Sequence, residues 1–339
     1  MFDKLTIEHF RAFEKIEIVP LHRVNLIAGG NNVGKTSVLE AIWFALQDNP
    51  FTSPETQTSR AQALFRRSSI DYRPHTQSPP DDIDNFWKWL FPQKDTSLPI
   101  SIGLSSSVAP LNDRVLTFRF EGAQLHATAG KVHSTLGQHS SSSVTPPVSA
   151  PECITLATFH SSPVVDAERV NAVSVINRDD ELVTYLRLID PRIRKLKYLK
   201  LPGHQHPYVY ADVGFGKDKE LIPATQLGQG TARMLGLFAS LMTEQARVLL
   251  IDEFENGLQH DAIGPIWSAL GKFARDNNVQ IFATTHSFEC IAAAHKVFAE
   301  NADDFAVIKL RSDPTQGIAA FVLDHANIDV AIETEMEIR

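Results

Sequence analysis

The chain has 339 residues, enough for one elaborated domain or two, and its 43% apolar content supplies a full core. A net charge of -8 argues against a generally basic nucleic-acid surface while leaving room for a local basic groove. Two cysteines, Cys153 and Cys290, are too few for a disulfide framework or a four-cysteine zinc site. With no signal peptide at Met1 and no apolar run near the roughly 18 residues of a membrane span, the sequence predicts a soluble cytoplasmic protein.

Leu5–Phe10 and Lys15–Val19 alternate apolar with polar residues and predict two antiparallel strands joined by Arg11-Ala12-Phe13-Glu14. The run Val24–Ala28 is a third strand, and Val38, Leu39, Ile42, Trp43 and Leu46 mark an amphipathic helix just after it. Beyond Asn49-Pro50 the text changes character until about Val175. Gln57–Arg67 fits a helix and Arg73–Asp82 a polar loop. Asp84–Phe91 fits an aromatic helical turn that plugs the core. Pro99–Leu104, Arg114–Thr128 and Cys153–Phe159 fit strands, and Ser134–Pro151, rich in Ser, Thr and Pro, fits a loop. Asp179–Ile189 is helical. Arg192–Leu201 gathers Arg192, Arg194, Lys195, Lys197 and Lys200, which suits a solvated strand edge or a phosphate-backbone contact. His204 and His206 have no evident metal partners.

An apolar helix with Met234, Leu237, Phe238, Leu241 and Met242 follows Leu227-Gly228-Gln229-Gly230-Thr231. Val248–Ile251 is a continuous aliphatic run, as expected of a strand buried on both faces of a parallel sheet. Ile263, Ile266, Trp267, Leu270 and Phe273 mark another helix, and Gln280–Thr284 another buried strand. Ala306–Leu310 and Ala319–Leu323 predict a final hairpin or edge pair, and Asp329–Ile338 a closing acidic helix.

Beside the glycine-rich stretch Leu227–Thr231, the chemistry concentrates in three places. Gly29, Gly30, Asn31, Asn32, Val33, Gly34, Lys35, Thr36 and Ser37 spell G-x-x-x-x-G-K-T between a strand and a helix. Glycines let backbone N–H groups converge on a polyphosphate, and the helix dipole faces the same anion. Lys35 is expected on the β and γ phosphates and Thr36 on magnesium. Asp252 and Glu253 end the aliphatic strand, where open α/β sheets place ligand chemistry. Asp252 is expected to orient magnesium and Glu253 to polarise the attacking water. His286, after Thr284-Thr285, can donate to the γ-phosphate or position that water.

Together F-R-A-F (Phe10–Phe13), G-G-N-N-V-G-K-T-S-V-L-E-A-I, L-G-Q-G-T-A-R-M-L-G-L, L-L-I-D-E-F-E-N-G-L and T-T-H-S resemble the ABC-class ATPases of the non-transporter kind: SMC heads, RecF-like ATPases and above all OLD-like AAA ATPases. The resemblance implies an α/β P-loop head with a mostly parallel central sheet and an antiparallel N-terminal β subdomain. Residues 1–49 and 176–339 would build the head, with an α/β insertion at 50–175. It implies ATP and Mg2+ as ligands. It also implies a homodimer or higher homo-oligomer in which Gly228, Gln229 and Gly230 complete the ATP site of the opposite subunit. Asn256-Gly257-Leu258 corresponds to the loop lining that interface, and Arg11 matches an arginine that approaches nucleotide in related heads. Two departures stand out. Transporter signatures carry serine where this chain has Gly228, and a Q-loop glutamine has no clear position. No heptad arm and no Toprim-like acidic cluster appears.

The resemblance to OLD-like proteins implies an ATPase that regulates a separate effector, a nuclease or toxin, in anti-phage defence. A RecF-like ATPase that binds DNA is the alternative, and a nucleotide-switched scaffold with little turnover is a third. No membrane partner is expected.

Overall fold

The computed structural model describes residues 1–46, 87–107, 113–122, 124–135, 154–156, 162–203, 205–214, 221–244, 247–313 and 317–333. The expected helix at 57–67, the loop at 73–82, most of the Ser/Pro-rich stretch and His204 lie outside them.

The chain opens on an antiparallel pair, β1 (Lys4–Phe10) and β2 (Phe13–Ile18), closed by Arg11-Ala12 alone; Phe13 and Glu14, expected in the turn, already belong to β2. β3 (Val24–Gly29) then enters a different sheet and delivers the glycine loop to α1 (Lys35–Ala45). β4 (Ile100–Ser105), β5 (Arg114–Glu121), β6 (Gln124–Ala129) and β7 (Val132–Thr135) follow as an antiparallel meander. β4 pairs with β1, so the first sheet runs β2-β1-β4-β5-β6-β7. β8 (Ile154–Leu156), α2 (Pro163–Val175) and α3 (Asp179–Ile189) come next. The small sheet β11-β10-β9 comprises β9 (Lys195–Leu199), β10 (Tyr208–Asp212) and β11 (Leu221–Pro223).

The last third completes the central sheet. α4 (Gln229–Glu244), β12 (Val248–Ile251), α5 (His260–Asp276), β13 (Gln280–Thr284), α6 (Phe288–Val297), β14 (Phe305–Asp313), β15 (Gly317–Leu323) and α7 (His325–Glu333) appear in that order. The sheet runs β15-β14-β3-β13-β12-β8, parallel throughout except for β15. Alternating side chains divide its strands between two cores, as the two-residue period of a strand requires. Val24, Leu26, Leu249, Ile251, Ile281, Ala283 and Val307 face a helical layer from α2 to α7. Ile27, Val248, Leu250, Phe282, Ile308 and Leu310 face α1 and the antiparallel sheet. Burial on both faces explains the unbroken aliphatic spelling of these strands, each side chain adding roughly 1.5–3 kcal/mol.

The 50–175 segment, set apart on sequence, supplies strands to both sheets: β4–β7 extend the first from β1, and β8 pairs with β12 at the edge of the second. Its aromatic turn fills the core as expected. The Trp87 ring lies 6.3 Å from Phe44 and 6.0 Å from Phe118, and Phe91 lies 5.5 Å from Phe120. The basic run behaves as a strand edge: Lys195 and Lys197 are exposed on β9, while Arg192 pairs with Asp190 at 2.7 Å.

Several elements differ from the sequence reading. α2 and α6 were not anticipated, although Pro163 at the start of one and Ser287 capping the Cys290 N–H at 3.1 Å in the other are helix-start signals. β14 is internal rather than an edge, because it pairs in parallel with β3 as well as with β15. α7 begins at His325, four residues earlier than expected, since Asp324 accepts the Asn327 N–H at 2.9 Å and so caps it.

Candidate functional site

The phosphate loop is shaped by two glycines with no room for a side chain. A Cβ on Gly29 would lie 2.5 Å from the Leu310 carbonyl oxygen, with φ at +147°. One on Gly34, φ +86°, would lie 2.6 Å from the Phe13 ring. Phe10 and Phe13, the aromatic pair of F-R-A-F, are buried, and Phe13 forms the floor beneath Gly34. Gly30, Asn31 and Asn32 are exposed, Asn32 with φ +60°, while Val33 is buried. Lys35 is 6% exposed, and its Nζ donates to the carbonyls of Gly29 and Gly30 at 2.6 Å each. The first turn of α1 carries no acidic side chain of its own; the carboxylate it meets is that of Asp252, reached by Thr36. Ser37, half-buried, sits in that turn.

Three parallel strands bring the remaining groups to this end. β13 lies between β3 and β12, with Thr284 opposite Ile27 and Ala283 opposite Ile251. The Thr36 hydroxyl therefore reaches the Asp252 carboxylate, at 3.1 and 3.2 Å from its two oxygens. Thr284, 1% exposed, donates its hydroxyl to Asp252 Oδ1 at 2.6 Å and accepts the Glu253 N–H at 2.8 Å. One hydroxyl thus fixes both acids. Glu253 has φ +50°, a left-handed conformation uncommon for a side-chain-bearing residue, and Asn256 Nδ2 donates to its Oε2 at 3.4 Å.

His286 is exposed and joins this centre through its backbone. Its N–H donates to Glu255 Oε1 at 2.7 Å, and the Thr285 hydroxyl donates to Glu255 Oε2 at 2.8 Å. Glu255 and Thr284 went unnoticed as site residues in the sequence. The third acid in Asp252-Glu253-Phe254-Glu255 was the available signal.

The glycine-rich stretch sits elsewhere. Among the described residues no hydrogen bond or ion pair joins Leu227–Thr231 to the phosphate loop. Gly228 and Gln229 are exposed, and Gln229 lies against Gly257, 3.6 Å from where its Cβ would be. Gly230 is packed by Ile266, Leu258 and Ala262. Arg233, one turn along α4, donates to the carbonyls of Phe254 and Asn256 at 3.3 and 3.1 Å, and burial lowers its pKa to about 9. It holds the Asn256-Gly257-Leu258 loop against the glycine-rich stretch.

Arg11 is held by a carboxylate of α1. Its Nε and Nη2 donate to the Glu40 carboxylate at 3.1 and 3.3 Å. Burial pushes Glu40 up, Arg11 counters it, and the charge of Asp252 adds to the rise. This pair ties the β1–β2 turn to α1.

The donors at the site fit MgATP. A hydroxyl and a carboxylate, Thr36 and Asp252, are the oxygen ligands a hard divalent ion takes, and Lys35 with the loop N–H groups matches polyphosphate.

Residues 24–291 match the family described as "AAA domain, putative AbiEii toxin, Type IV TA system". An "ATP/GTP phosphatase" of Helicobacter pylori is 23% identical over 353 residues, covering 90% of both chains. The DNA replication and repair protein RecF of Shewanella baltica is 43% identical over 54 residues, 16% of this chain and 15% of that one. An SMC head bound to the C-winged-helix domain of ScpA superposes with TM-score 0.57 at 13% identity, over 98% and 99% of the two chains. The Pyrococcus furiosus Smc head with an extended coiled coil gives 0.55 at 10% identity over 99% of each. These two likenesses concern the fold alone. Among the described residues no helix is long and apolar enough to cross a membrane. The chain belongs to this AAA family and is an ATPase, with the fold of the SMC heads and a 54-residue likeness to RecF.

Proposed function

We propose that this ATPase holds nucleotide on Gly29–Ser37 and hydrolyses it with Glu253, two copies pairing so that Gly228–Gly230 of one seal the loop of the other. The Thr284 hydroxyl carries the reading, because it locks Asp252 toward Thr36 and sets the Glu253 backbone in one step. Thr36 and Asp252 would hold Mg2+, which when bound neutralises phosphate charge. Lys35 exchanges its two loop carbonyls for phosphate oxygens. Glu253 accepts a proton from the attacking water, and His286 orients that water or the γ-phosphate. Exposure of Gly228 and Gln229, away from their own loop, supports a partner for them. The hydroxyl a serine would add at position 228 is missing, so backbone N–H groups and the α4 dipole carry the contact and turnover is slow.

In this reading 1–49 and 176–339 build the head around 50–175, and the nucleotide-driven dimer regulates a separate effector, a nuclease or toxin, in anti-phage defence inside the cell. The OLD-like motif set and the family's toxin–antitoxin description support that direction. Lys35→Ala should lower turnover by about 10²–10³-fold. Glu253→Gln should accumulate a dimer on ATP, seen by sizing. A monomer under saturating ATP would sink the pairing, and unchanged turnover in Lys35→Ala would sink the site.

One observation favours DNA as a partner: exposed Lys195 and Lys197 on β9, alongside the partial RecF similarity. Duplex binding that weakens steeply with salt and is lost on charge reversal of both lysines supports it.

A further inference from the structure

Far along α6 from its capping Ser287 lies a second group of ligating side chains. His295, in the last turn of α6, is 7% exposed. His325 and Asp329 share one face of α7 at a spacing of one turn. His295 Nε2 is 2.6 Å from Asp329 Oδ1, and His325 Nδ1 is 3.5 Å from Asp329 Oδ2. The two imidazoles lie 3.8 Å apart between centroids. One ligating atom from each residue lies within 4.8 Å of the others, the one group of three such residues to converge among the described residues.

We propose that His295, His325 and Asp329 form a binding site for a single divalent transition-metal ion of the zinc class, joining α6 to α7. Zinc bonds of about 2.0–2.2 Å to nitrogen and oxygen in tetrahedral geometry put ligand atoms roughly 3.3–3.5 Å apart. The observed separations bracket that spacing, so small side-chain rotations suffice. Two imidazoles with one carboxylate favour zinc over the magnesium of the nucleotide site. His325 is already oriented as a ligand. Its Nε2 faces the His295 backbone carbonyl at 3.2 Å, and donating its proton there leaves the Nδ1 lone pair toward Asp329. Asp329 is exposed, which leaves the fourth position open to water.

The proton balance sets the strength. In the tautomer with its proton on Nε2, His295 donates to Asp329; the ion would take that nitrogen and the proton would move to Nδ1. That nitrogen is buried without a hydrogen-bond partner among the described residues, so leaving an N–H there weakens the site by roughly tenfold to a hundredfold. Occupancy would pin the C-terminal helix to α6, whose first residues follow His286. The proposal does not depend on the ATPase mechanism.

The test uses the whole chain, freed of metal, in buffer without magnesium or nucleotide. Zinc chloride is titrated against a chromophoric chelator, and cobalt(II) replaces zinc for a visible spectrum. One equivalent of zinc, a cobalt spectrum of a four-coordinate nitrogen–oxygen site and a raised melting temperature are expected. His325→Gln and Asp329→Asn alter partly exposed positions, and each should weaken zinc by more than about tenfold. Asp252→Asn should leave this zinc bound. Zinc uptake equal in wild type and the His325→Gln/Asp329→Asn pair overturns the site, as does zinc lost only in Asp252→Asn. Wild type that takes up no zinc makes the cluster a salt-bridged staple and nothing more.

Discussion

Replacing Thr284 by Val tests the central contact with almost no change in volume. The hydroxyl donates to Asp252 at 2.6 Å and accepts from the Glu253 N–H at 2.8 Å, with the residue 1% exposed. Losing a bond to a charged group is worth about 1.5–3 kcal/mol, and an orphaned buried N–H about 1–3 kcal/mol. The methyl group returns roughly 0.8 kcal/mol of burial. The net loss is about 2–5 kcal/mol of stability, readable from the urea midpoint. Catalysis should suffer separately. A methyl carbon cannot sit 2.6 Å from a carboxylate oxygen, so Asp252 must retreat by roughly 0.7–1 Å to reach ordinary contact distance.

A displacement of that size at a ligand-holding acid costs up to about 10²-fold, so kcat for phosphate release should fall by roughly 10–100-fold. Nucleotide affinity without divalent ion should stay within about twofold, because the Lys35 contacts to the loop do not involve Thr284. Thr284→Ser, which keeps the hydroxyl, should restore most of the rate. A folded Thr284→Val protein with wild-type kcat would refute the reasoning, since the hydroxyl would then be holding neither acid in its working position.

Gly34→Ala should abolish nucleotide binding and destabilise the fold by about 1–3 kcal/mol, from both φ +86° and the Phe13 ring 2.6 Å from the new methyl; normal binding by equilibrium titration would contradict the loop geometry. Burial pushes the Cys290 thiol up to about 12, so in a Cys153→Ser background a thiol reagent at pH 8 should label it only after unfolding; rapid labelling of the native protein would count against this packing. The Arg178 guanidinium, hydrogen-bonded to Glu181, holds its carboxyl below the ordinary value of 4.5. A lowered folded pKa gives stability that is complete above 4.5 and fades as pH falls below it. Glu181→Gln should therefore remove part of the acid slope, and an identical slope would show the pair to be inert.

Most of the sheet was legible because its strands are buried on both faces, and long aliphatic runs have few other homes. Val248–Ile251 and Gln280–Thr284 have in the structure the same bounds as in the sequence. The glycine loop was legible for a different reason: Gly29 and Gly34 occupy conformations that exclude other residues, so the spelling itself is constrained. What stayed hidden depends on pairing between distant segments. Nothing local in Leu116–Ala129 says that β5 and β6 extend the sheet of β1. Nothing local in Thr284 says that β13 will lie between β3 and β12 and place this hydroxyl between two acids. The partner of Arg11 stayed hidden for the same reason, since Glu40 becomes a neighbour only after α1 docks on the first hairpin. Helix α6 was missed because its Ala-rich run follows the Thr-Thr-His motif with only Ser287 to mark the start.

The order of the motifs along the chain has a physical cause in the seven residues after β12. Asp252 faces Thr36 of the phosphate loop, and the Glu253 N–H is held by Thr284. The Phe254 N–H donates to the Thr284 carbonyl at 2.9 Å, while its ring stacks on Trp267 of α5 at 3.9 Å. Glu255 grips Thr285 and the His286 backbone; the Asn256 carbonyl accepts from Arg233 of α4; Gly257 and Leu258 receive Gln229 and Gly230. The phosphate loop, the Thr-Thr-His stretch and the glycine-rich stretch thus all touch one short segment whose backbone is fixed at both ends, by β12 before it and α5 after it. A shift of this segment cannot reach the acids without also reaching the glycine-rich stretch, because the Arg233 and Glu255 contacts lie only three residues or fewer from Asp252 or Leu258. In the proposed dimer, a nucleotide that draws Asp252 toward its ion would therefore move the surface offered to the second copy, and occupancy would be coupled to assembly through side chains already in contact.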